Sequence, residues 1–178
     1  MDEIIEWLLF YNEIGIKEFD IRTSVKKKED LLKELEIEID DCKKCQLHNG
    51  RQNIVISDGS PYASLMLIGE GPGEEEDKQG LPFVGRAGQL LNKMLAAINL
   101  KREDVFIANI VKCRPPMNRT PLPQEIEMCF PYLEKQIKIV KPRLIVTLGA
   151  PATSTLLSTK IGISELRSKF FKYDENTF

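Results

Sequence analysis

The side chains with the clearest chemical potential in this sequence are its four cysteines. Cys42 and Cys45 are separated by two residues, and Cys113 and Cys129 follow far downstream. A CxxC pair is a common source of two metal ligands, and two distant thiolates can complete the set. Disulfide frameworks are typical of short secreted chains. The spacing in this 178-residue chain therefore favours a metal or iron–sulfur site over buried apolar cysteines and over redox or disulfide use.

A glycine-rich, acidic segment offers a second place for chemistry. Residues 69–77 read Gly-Glu-Gly-Pro-Gly-Glu-Glu-Glu-Asp and follow a short apolar run. The glycines leave backbone amides accessible to a ligand. Acidic residues stand where a phosphate-binding P-loop requires Gly-Lys-Ser/Thr, so nucleoside triphosphate hydrolysis is not expected. The alternative interpretation of this segment is a solvated acidic turn.

Two side chains further along could recognise a planar ligand. Phe83 lies just before a glycine-rich helix start, where backbone amides and Arg86 could receive a phosphate. Phenylalanine is more often a core residue, so stacking on a ligand is the second interpretation of Phe83. Asn109 ends an apolar run, and a buried amide at that place needs partners that a ligand could supply.

The elements that position these residues follow a strand–loop–helix order. Apolar runs at 64–68, 105–111 and 144–148 predict buried parallel strands. Two amphipathic helices are predicted between them, with apolar faces formed by Leu90, Leu91, Met94, Leu95 and Ile98 and by Ile126, Cys129, Leu133, Ile137 and Val140. Pro131 is expected to kink or delay the second helix. The pattern predicts an α/β fold of three layers, with a central parallel sheet flanked by helices and a ligand site at the carboxyl ends of its strands.

The first forty residues predict an N-terminal helical extension. Ile4, Leu8 and Tyr11 share one face of a first helix, and Ser24 is predicted to cap a second. The apolar stripe of this second helix consists of Leu31, Leu32, Leu35 and Ile39. We therefore expect a helical extension at 1–40 and an α/β domain at 41–178.

The overall composition argues against a protein that coats nucleic acid. The formal net charge is −2, so any contact with nucleic acid must be local. The first residues are acidic where a signal peptide would be basic, and no apolar stretch approaches membrane-spanning length. We expect a soluble, cytoplasmic chain without a membrane partner.

The motifs resemble those of the type 4 uracil-DNA glycosylases, iron–sulfur members of the uracil-DNA glycosylase superfamily that are common in thermophilic archaea and bacteria. The resemblance rests on Cys42-x2-Cys45, residues 69–74, residues 81–88, Ala108-Asn109-x2-Lys112-Cys113-Arg114-Pro115-Pro116, and Cys129, in that order. It implies a monofunctional, monomeric DNA repair glycosylase. Such an enzyme flips uracil out of single- or double-stranded DNA and hydrolyses its N-glycosidic bond, leaving an abasic site for base excision repair.

The resemblance also implies roles for individual residues. Glu70 and Gly71 would line the uracil pocket, and Glu76 would crowd the position of the thymine methyl group. Phe83 would stack on the flipped base, and Asn109 would accept from its N3–H and donate to its O4. Glu70 and Asn109 are the catalytic candidates.

The four cysteines, Cys42, Cys45, Cys113 and Cys129, would ligate one structural 4Fe-4S cluster, with zinc as the alternative. Four cations near the pocket in the sequence are predicted to contact DNA: Arg86, Lys112, Arg114 and Arg119.

The sequence departs from the family pattern in two ways. The His-Pro element that follows the last strand of the superfamily is absent, and the only histidine, His48, lies beside the cluster cysteines. Related enzymes place a water-activating aspartate where this chain has Gly71. We therefore expect a chain truncated at its C-terminus, with weakened catalysis. Strand cleavage by a lyase step would need a lysine that forms a Schiff base with the sugar. The sequence pattern does not indicate a buried lysine, so no lyase step is predicted.

Two other functions remain open from the sequence. A non-catalytic iron–sulfur protein that binds nucleic acid would carry the same cysteines and basic residues. A glycosylase for deaminated purines, such as hypoxanthine, could use the same stacking ring and amide.

Overall fold

A computed structural model describes residues 26–174 and residue 177 of the chain. The predicted first helix around Ile4 and the predicted cap Ser24 lie outside these residues. Helix α1 spans Lys28–Ile39 and begins after Lys27, without a side-chain cap. Leu35 and Ile39 of α1 are buried in the same core as the α/β domain, so this part of the extension packs directly onto it.

Four strands form one sheet, in the order β1-β3-β2-β4: β1 (Ser57–Gly59), β2 (Leu65–Gly69), β3 (Phe106–Asn109) and β4 (Leu144–Thr147). The strands β2, β3 and β4 are parallel and confirm the three apolar runs predicted from the sequence. Edge strand β1 is antiparallel to β3. It was not predicted, because Ser-Asp-Gly is too short and polar to show a strand pattern.

Alternating residues of the strands face two separate cores. Ile68 and Ala108 lie in a cluster with α1 and with helix α4, which spans Pro123–Val140. Leu67 and Ile107 point to the opposite face and pack against helix α3, which spans Arg86–Ala97. Helices on both faces of the sheet confirm the predicted three-layer α/β fold.

Short helices and turns complete the described part of the chain. They are helix α2 (Glu74–Gln79), helix α5 (Ala150–Leu156), helix α6 (Ile163–Leu166) and the 3₁₀ turns Gln46–Asn49, Arg102–Asp104 and Pro116–Asn118. Within the described residues, no helix is both long enough and apolar enough to cross a bilayer.

The predicted apolar face of α3 is only partly buried. Leu91 and Leu95 are buried against the sheet, whereas Leu90, Met94 and Ile98 are exposed. Leu90 and Met94 each precede a buried leucine by one residue, and one residue turns the helix by about 100° away from the sheet. The sequence prediction therefore made the buried stripe too wide.

Helix α4 begins at Pro123 and runs on through Pro131, so the predicted delay of the helix is wrong, and the predicted kink stays a prediction. Pro131 lies on the exposed side of α4, while Cys129, Leu133 and Ile137 face the core. Packing along the buried side outweighs the loss of one backbone hydrogen bond.

Candidate active site

A surface cavity opens at the carboxyl ends of β2 and β3. Residues of the acidic glycine-rich segment, the start of α3 and the end of β3 line it: Gly71, Gly73, Glu74, Glu75, Glu76, Phe83, Gly85, Arg86, Ala87, Asn109 and Asn118. Phe83 and Asn109, which are 26 positions apart in the chain, therefore share one cavity. This is the edge at which parallel α/β sheets place their ligands.

Asn109 is the most unusual side chain of this cavity. It ends β3, is only 1% exposed, and neither its Oδ1 nor its Nδ2 finds a hydrogen-bond partner among the described residues. A buried amide left unpaired in this way costs about 1–3 kcal/mol. Folding therefore holds a donor and an acceptor ready for a ligand that supplies the missing partners.

Gly69 makes the approach of Asn109 and Phe83 possible. It pairs with Asn109 in the parallel register of β2 and β3. A Cβ atom at Gly69 would lie 2.5 Å from Asn109 Oδ1 and 2.5 Å from Phe83 Cζ. Any larger residue would push the ring and the amide away, so glycine is required at this position beside them.

The loop that carries Phe83 is strained and braced. Phe83 has a φ of +53°, which is uncommon for a residue with a side chain. Arg102 Nη1 donates to Phe83 O at 2.9 Å, and its Nη2 donates to Pro82 O at 2.7 Å. Arg102 is held in turn by Asp58 of β1, whose Oδ2 lies 2.8 Å from its Nε. One arginine thus fixes the turn that positions the ring.

Glu76 links the two loops on the other side of the cavity. Its Oε1 accepts hydrogen bonds from the amides of Val84 (3.0 Å) and Gly85 (2.8 Å), and its Oε2 accepts one from Gly73 (3.1 Å). The sequence analysis missed this cross-link. The spacing from Gly73 to Glu76 is that of a capping box and could have indicated the local bond, whereas the bonds to residues 84 and 85 depend on the fold.

The two remaining residues predicted for the uracil pocket differ in their placement. Gly71 lines the cavity. Glu70 is half-buried and does not line it, and its carbonyl accepts a hydrogen bond from the amide of Val111 at 3.2 Å. The structure therefore brings Gly71, but not Glu70, to the ring and the amide.

Three of the predicted DNA-contacting cations lie around the cavity. Arg86 is exposed and lines the cavity. Arg114 Nε donates to Asn118 Oδ1 at 2.7 Å. Arg119 forms two hydrogen bonds, of 2.6 and 2.8 Å, with the buried carboxylate of Glu125, and this arginine holds the pKa of Glu125 below its ordinary value. Arg119 therefore also braces the start of α4.

The prediction that Lys112 contacts DNA is wrong. Lys112 is 1% exposed, and its Nζ donates to Asn109 O at 2.8 Å and to Gln136 Oε1 at 2.6 Å. Burial lowers its pKa to about 8. The expectation that no lysine is buried is wrong for the same reason. Lys112 follows β3 into the core and does not line the cavity of Phe83 and Asn109.

The four cysteines line a second, smaller cavity on the side of α1 and α4. They come from the segment after α1 (Cys42 and Cys45), the segment after β3 (Cys113) and helix α4 (Cys129). All four are free thiols. Burial raises the pKa of Cys129 to about 12 and also raises that of Cys113.

Hydrogen-bond donors surround these thiols. Arg51 Nη1 lies 3.3 Å from Cys113 Sγ, and the backbone amide of Lys112 lies 3.3 Å from Cys129 Sγ. His48 lines the same cavity, and its Nδ1 lies 2.7 Å from the carbonyl oxygen of Cys45. In the part of the chain that the structure describes, no three His, Cys, Asp or Glu side chains form a group suited to holding one metal ion.

Comparison with known proteins agrees with this geometry. The sequence profile described as "Uracil DNA glycosylase superfamily" matches residues 56–175, which include the ring, the amide and two of the cysteines. The chain belongs to this superfamily. The family resemblance that the motifs indicated is therefore confirmed.

Several relatives carry the name type-4 uracil-DNA glycosylase. The relative from Sulfurisphaera tokodaii is 48% identical over 154 residues, which cover 82% of this chain and 70% of the relative. The relative from Thermotoga maritima is 46% identical over 141 residues, covering 79% and 73%. The relative from Pyrobaculum aerophilum is 50% identical over 119 residues, covering 67% and 61%.

Proposed function

We propose that this superfamily member is a monofunctional uracil-DNA glycosylase. It takes uracil out of DNA and hydrolyses the N-glycosidic bond, leaving an abasic site for base excision repair. The observation that carries the proposal is the buried amide of Asn109, which has no hydrogen-bond partner among the described residues and shares a cavity with Phe83. A base inside a DNA stack cannot be reached by an enzyme, so it is extruded into a pocket with a stacking ring and edge-reading polar groups.

The amide of Asn109 suits uracil and not cytosine. Uracil presents an N3–H donor to Oδ1 and an O4 acceptor to Nδ2. Cytosine has no proton on N3 and carries an amino group at position 4, so both ends of Asn109 in this orientation would be mismatched. Two buried mismatches cost on the order of several kcal/mol, which is enough to reject a far more abundant base.

The same contacts support the reaction. As the bond between C1′ and N1 lengthens, the bonding electrons move onto uracil and the sugar gains oxocarbenium character. The Nδ2 group of Asn109 donates to O4, where part of the negative charge develops, and this contact strengthens towards the transition state. A water molecule then bonds to C1′ and releases a proton, and uracil leaves as an anion. Glu70, the chain neighbour of the cavity-lining Gly71, does not line the cavity and would have to turn towards it to position this water.

The cavity walls are arranged to hold the base without adjustment. Phe83 would stack on uracil, and Gly71 and Glu76 would lie along its rim, with Glu76 on the side where thymine carries a methyl group. The hydrogen bonds that Glu76 accepts from three backbone amides keep this wall in place. Rigid placement of binding groups is a large part of the rate gain in such reactions.

The four cysteines would hold a structural 4Fe-4S cluster in this proposal, with zinc as the alternative. Four thiols from three separate segments surround one cavity, and neighbouring amide and guanidinium donors can compensate thiolate charge. A cluster spreads its four ligands over several iron atoms, whereas a single zinc ion draws them within about 2.3 Å of one point. A cluster bound there would crosslink these three segments.

The partner in this proposal is uracil-containing DNA, single- or double-stranded, bound by a monomer. Arg86, Arg114 and Arg119 would supply the local positive charge that an acidic protein needs at phosphate. A DNA repair enzyme of this kind would act in the cytoplasm, at the nucleoid. The boundary between a helical extension at 1–40 and the glycosylase domain at 41–178 is part of the same proposal.

A base-release assay tests the function. Purified chain in excess is mixed with labelled oligonucleotides that contain one uracil, hypoxanthine, thymine or cytosine, and alkali then cleaves the abasic product. We expect release of uracil alone, without strand cleavage before alkali. Release of hypoxanthine would indicate the deaminated-purine glycosylase, and tight binding without release of any base would indicate the non-catalytic binding protein.

Replacing Arg102 with alanine is expected to lower kcat/KM for uracil release by about 10- to 100-fold, because the turn of Pro82 and Phe83 would lose its brace. Arg102→Lys should recover little, since one ammonium cannot reach both carbonyls and Asp58. Lys101→Ala, which removes an exposed neighbouring charge, is the matched control. Wild-type kcat/KM in Arg102→Ala would show that the brace does not position the ring.

A further inference from the structure

Lys112 is a buried lysine that takes no part in the reaction as described so far. It is 1% exposed, and its side chain turns back along the chain to Asn109, three residues earlier. Lysine is almost never fully buried unless its amino group is paired, because burial removes that group from water. An apolar side chain of similar length would fill the same space without this loss of hydration. Packing alone therefore does not account for a lysine at this position.

The amino group of Lys112 has two acceptors at short distance. Its Nζ donates to Asn109 O at 2.8 Å and to Gln136 Oε1 at 2.6 Å. Gln136 is itself oriented, because its Nε2 donates to Ile56 O at 3.1 Å and Oε1 is thereby directed to the lysine. Gln136 lies on α4, so the lysine links the end of β3 to this helix. Buried networks in which every member is paired are rigid.

The backbone of Lys112 is anchored as well. Its amide lies 3.3 Å from Cys129 Sγ, and its carbonyl accepts a hydrogen bond from the amide of Val55 at 2.8 Å. The lysine is therefore held at its backbone by two segments and at its amino group by Gln136. A side chain that is fixed at both ends holds the carbonyl of Asn109 at a defined place.

The side chain of Asn109 depends on its backbone for its direction. Neither Oδ1 nor Nδ2 has a hydrogen-bond partner among the described residues, so no such bond orients the amide before a ligand arrives. The carbonyl that Lys112 contacts belongs to the same residue, at the last position of β3. Fixing this carbonyl fixes the backbone from which the amide projects into the cavity.

We propose that Lys112 is a positioning residue that, through the backbone of Asn109, directs the amide to the edge of the extruded base. This inference rests on the proposed function. Lys112 does not line the cavity and is buried, so it acts through Asn109 and not by contact with DNA. A misplacement of about 1 Å in a group that binds the reacting base lowers the rate by about 100-fold.

Single-turnover excision of uracil, with the chain in saturating excess over single-stranded DNA, tests the proposal. We expect Lys112→Met, which keeps a long unbranched side chain, to lower the rate constant by about 10- to 100-fold. The dissociation constant for the DNA should stay within about twofold of wild type, because a buried lysine cannot meet phosphate. Lys135→Met, which removes an exposed lysine of α4, is the matched control and should change neither value.

A double variant separates positioning from a general contribution to stability. Gln136→Leu leaves the amino group of Lys112 without one acceptor, so the free energy of unfolding should fall. Lys112→Met combined with Gln136→Leu removes both partners and should recover much of that stability. The rate constant should nevertheless stay as low as in Lys112→Met, because Asn109 O lacks its donor in both. A rate constant that recovers together with the stability, or a wild-type rate constant in Lys112→Met, overturns the proposal.

A crystal structure of the double variant gives a result that does not depend on catalysis. We expect the carbonyl and the side-chain amide of Asn109 to be displaced relative to Phe83, whereas Lys135→Met should keep the wild-type arrangement. If the wild-type chain releases no uracil from single strands, the proposed function fails. The crystal structure still decides whether Lys112 positions Asn109, and an Asn109 that has not moved overturns the proposal.

Discussion

Asn109→Leu is expected to abolish uracil excision and, at the same time, to raise the free energy of unfolding. Leucine has the same number and branching of side-chain heavy atoms as asparagine but carries no polar atoms. It therefore removes the groups that recognise the uracil edge, and kcat/KM should fall by about 10³-fold or more. It also removes a buried amide that has no partner among the described residues, so stability should rise by about 1–3 kcal/mol. Single-turnover excision and urea unfolding measure the two effects.

Gln136→Leu is the matched control for this prediction. Gln136 is also a buried amide, but its Oε1 accepts from Lys112 Nζ at 2.6 Å and its Nε2 donates to Ile56 O at 3.1 Å. Its replacement leaves the buried ammonium without that acceptor, so the free energy of unfolding should fall. The opposite signs of the two changes are the informative result. If Asn109→Leu were as destabilising as Gln136→Leu, the amide of Asn109 would have a structural partner and the proposed recognition of uracil would lose its main support.

Cys129→Ser is expected to prevent binding of the proposed cluster and to destabilise the domain by several kcal/mol, since metal binding to such sites is part of the free energy of folding. Cys129 lies on α4 and faces the segment that follows β3, where the amide of Lys112 meets its Sγ. Loss of this link should loosen the end of β3 that carries Asn109. Iron, sulfide and zinc contents, visible absorbance and thermal unfolding are the measurements.

Met128→Ala is the control for the cysteine variant. Met128 precedes Cys129 on α4, lines the same cavity and is 44% exposed, but it is not one of the proposed ligands. We expect this variant to keep the visible chromophore and about four iron atoms per chain. If the wild-type chain is colourless and contains one zinc ion, the site holds zinc and not an iron–sulfur cluster. Unchanged metal content in Cys129→Ser would exclude Cys129 as a ligand.

Three departures from ordinary protein structure lie at one cavity. Phe83 and Asn118 have positive φ angles, and the buried amide of Asn109 has no partner among the described residues. Phe83 and Asn118 each accept a hydrogen bond from an arginine, Arg102 and Arg114 respectively. Such local violations are expected at functional sites, where binding or catalysis benefits from a conformation that folding alone would not select.

The sequence by itself determined the parallel strands, the two long helices, the three-layer arrangement and the family. Periodicity and turn residues report which face of an element is apolar, and the spacing of short motifs reports which chemistry is available. The strand ending at Asn109 placed the amide at the correct edge of the sheet. The spacing of the four cysteines predicts one set of ligands, and all four line one cavity.

Only the tertiary structure decided which polar groups find partners. It buried Lys112 against Gln136, joined Arg102 to Asp58 across 44 residues and used Glu76 to connect two loops. It left the amide of Asn109 without a partner in the described part of the chain. It also showed that Glu70 stands away from the cavity. A sequence pattern describes the neighbours of a residue along the chain, whereas hydrogen bonding and burial depend on residues that the fold brings together from distant positions.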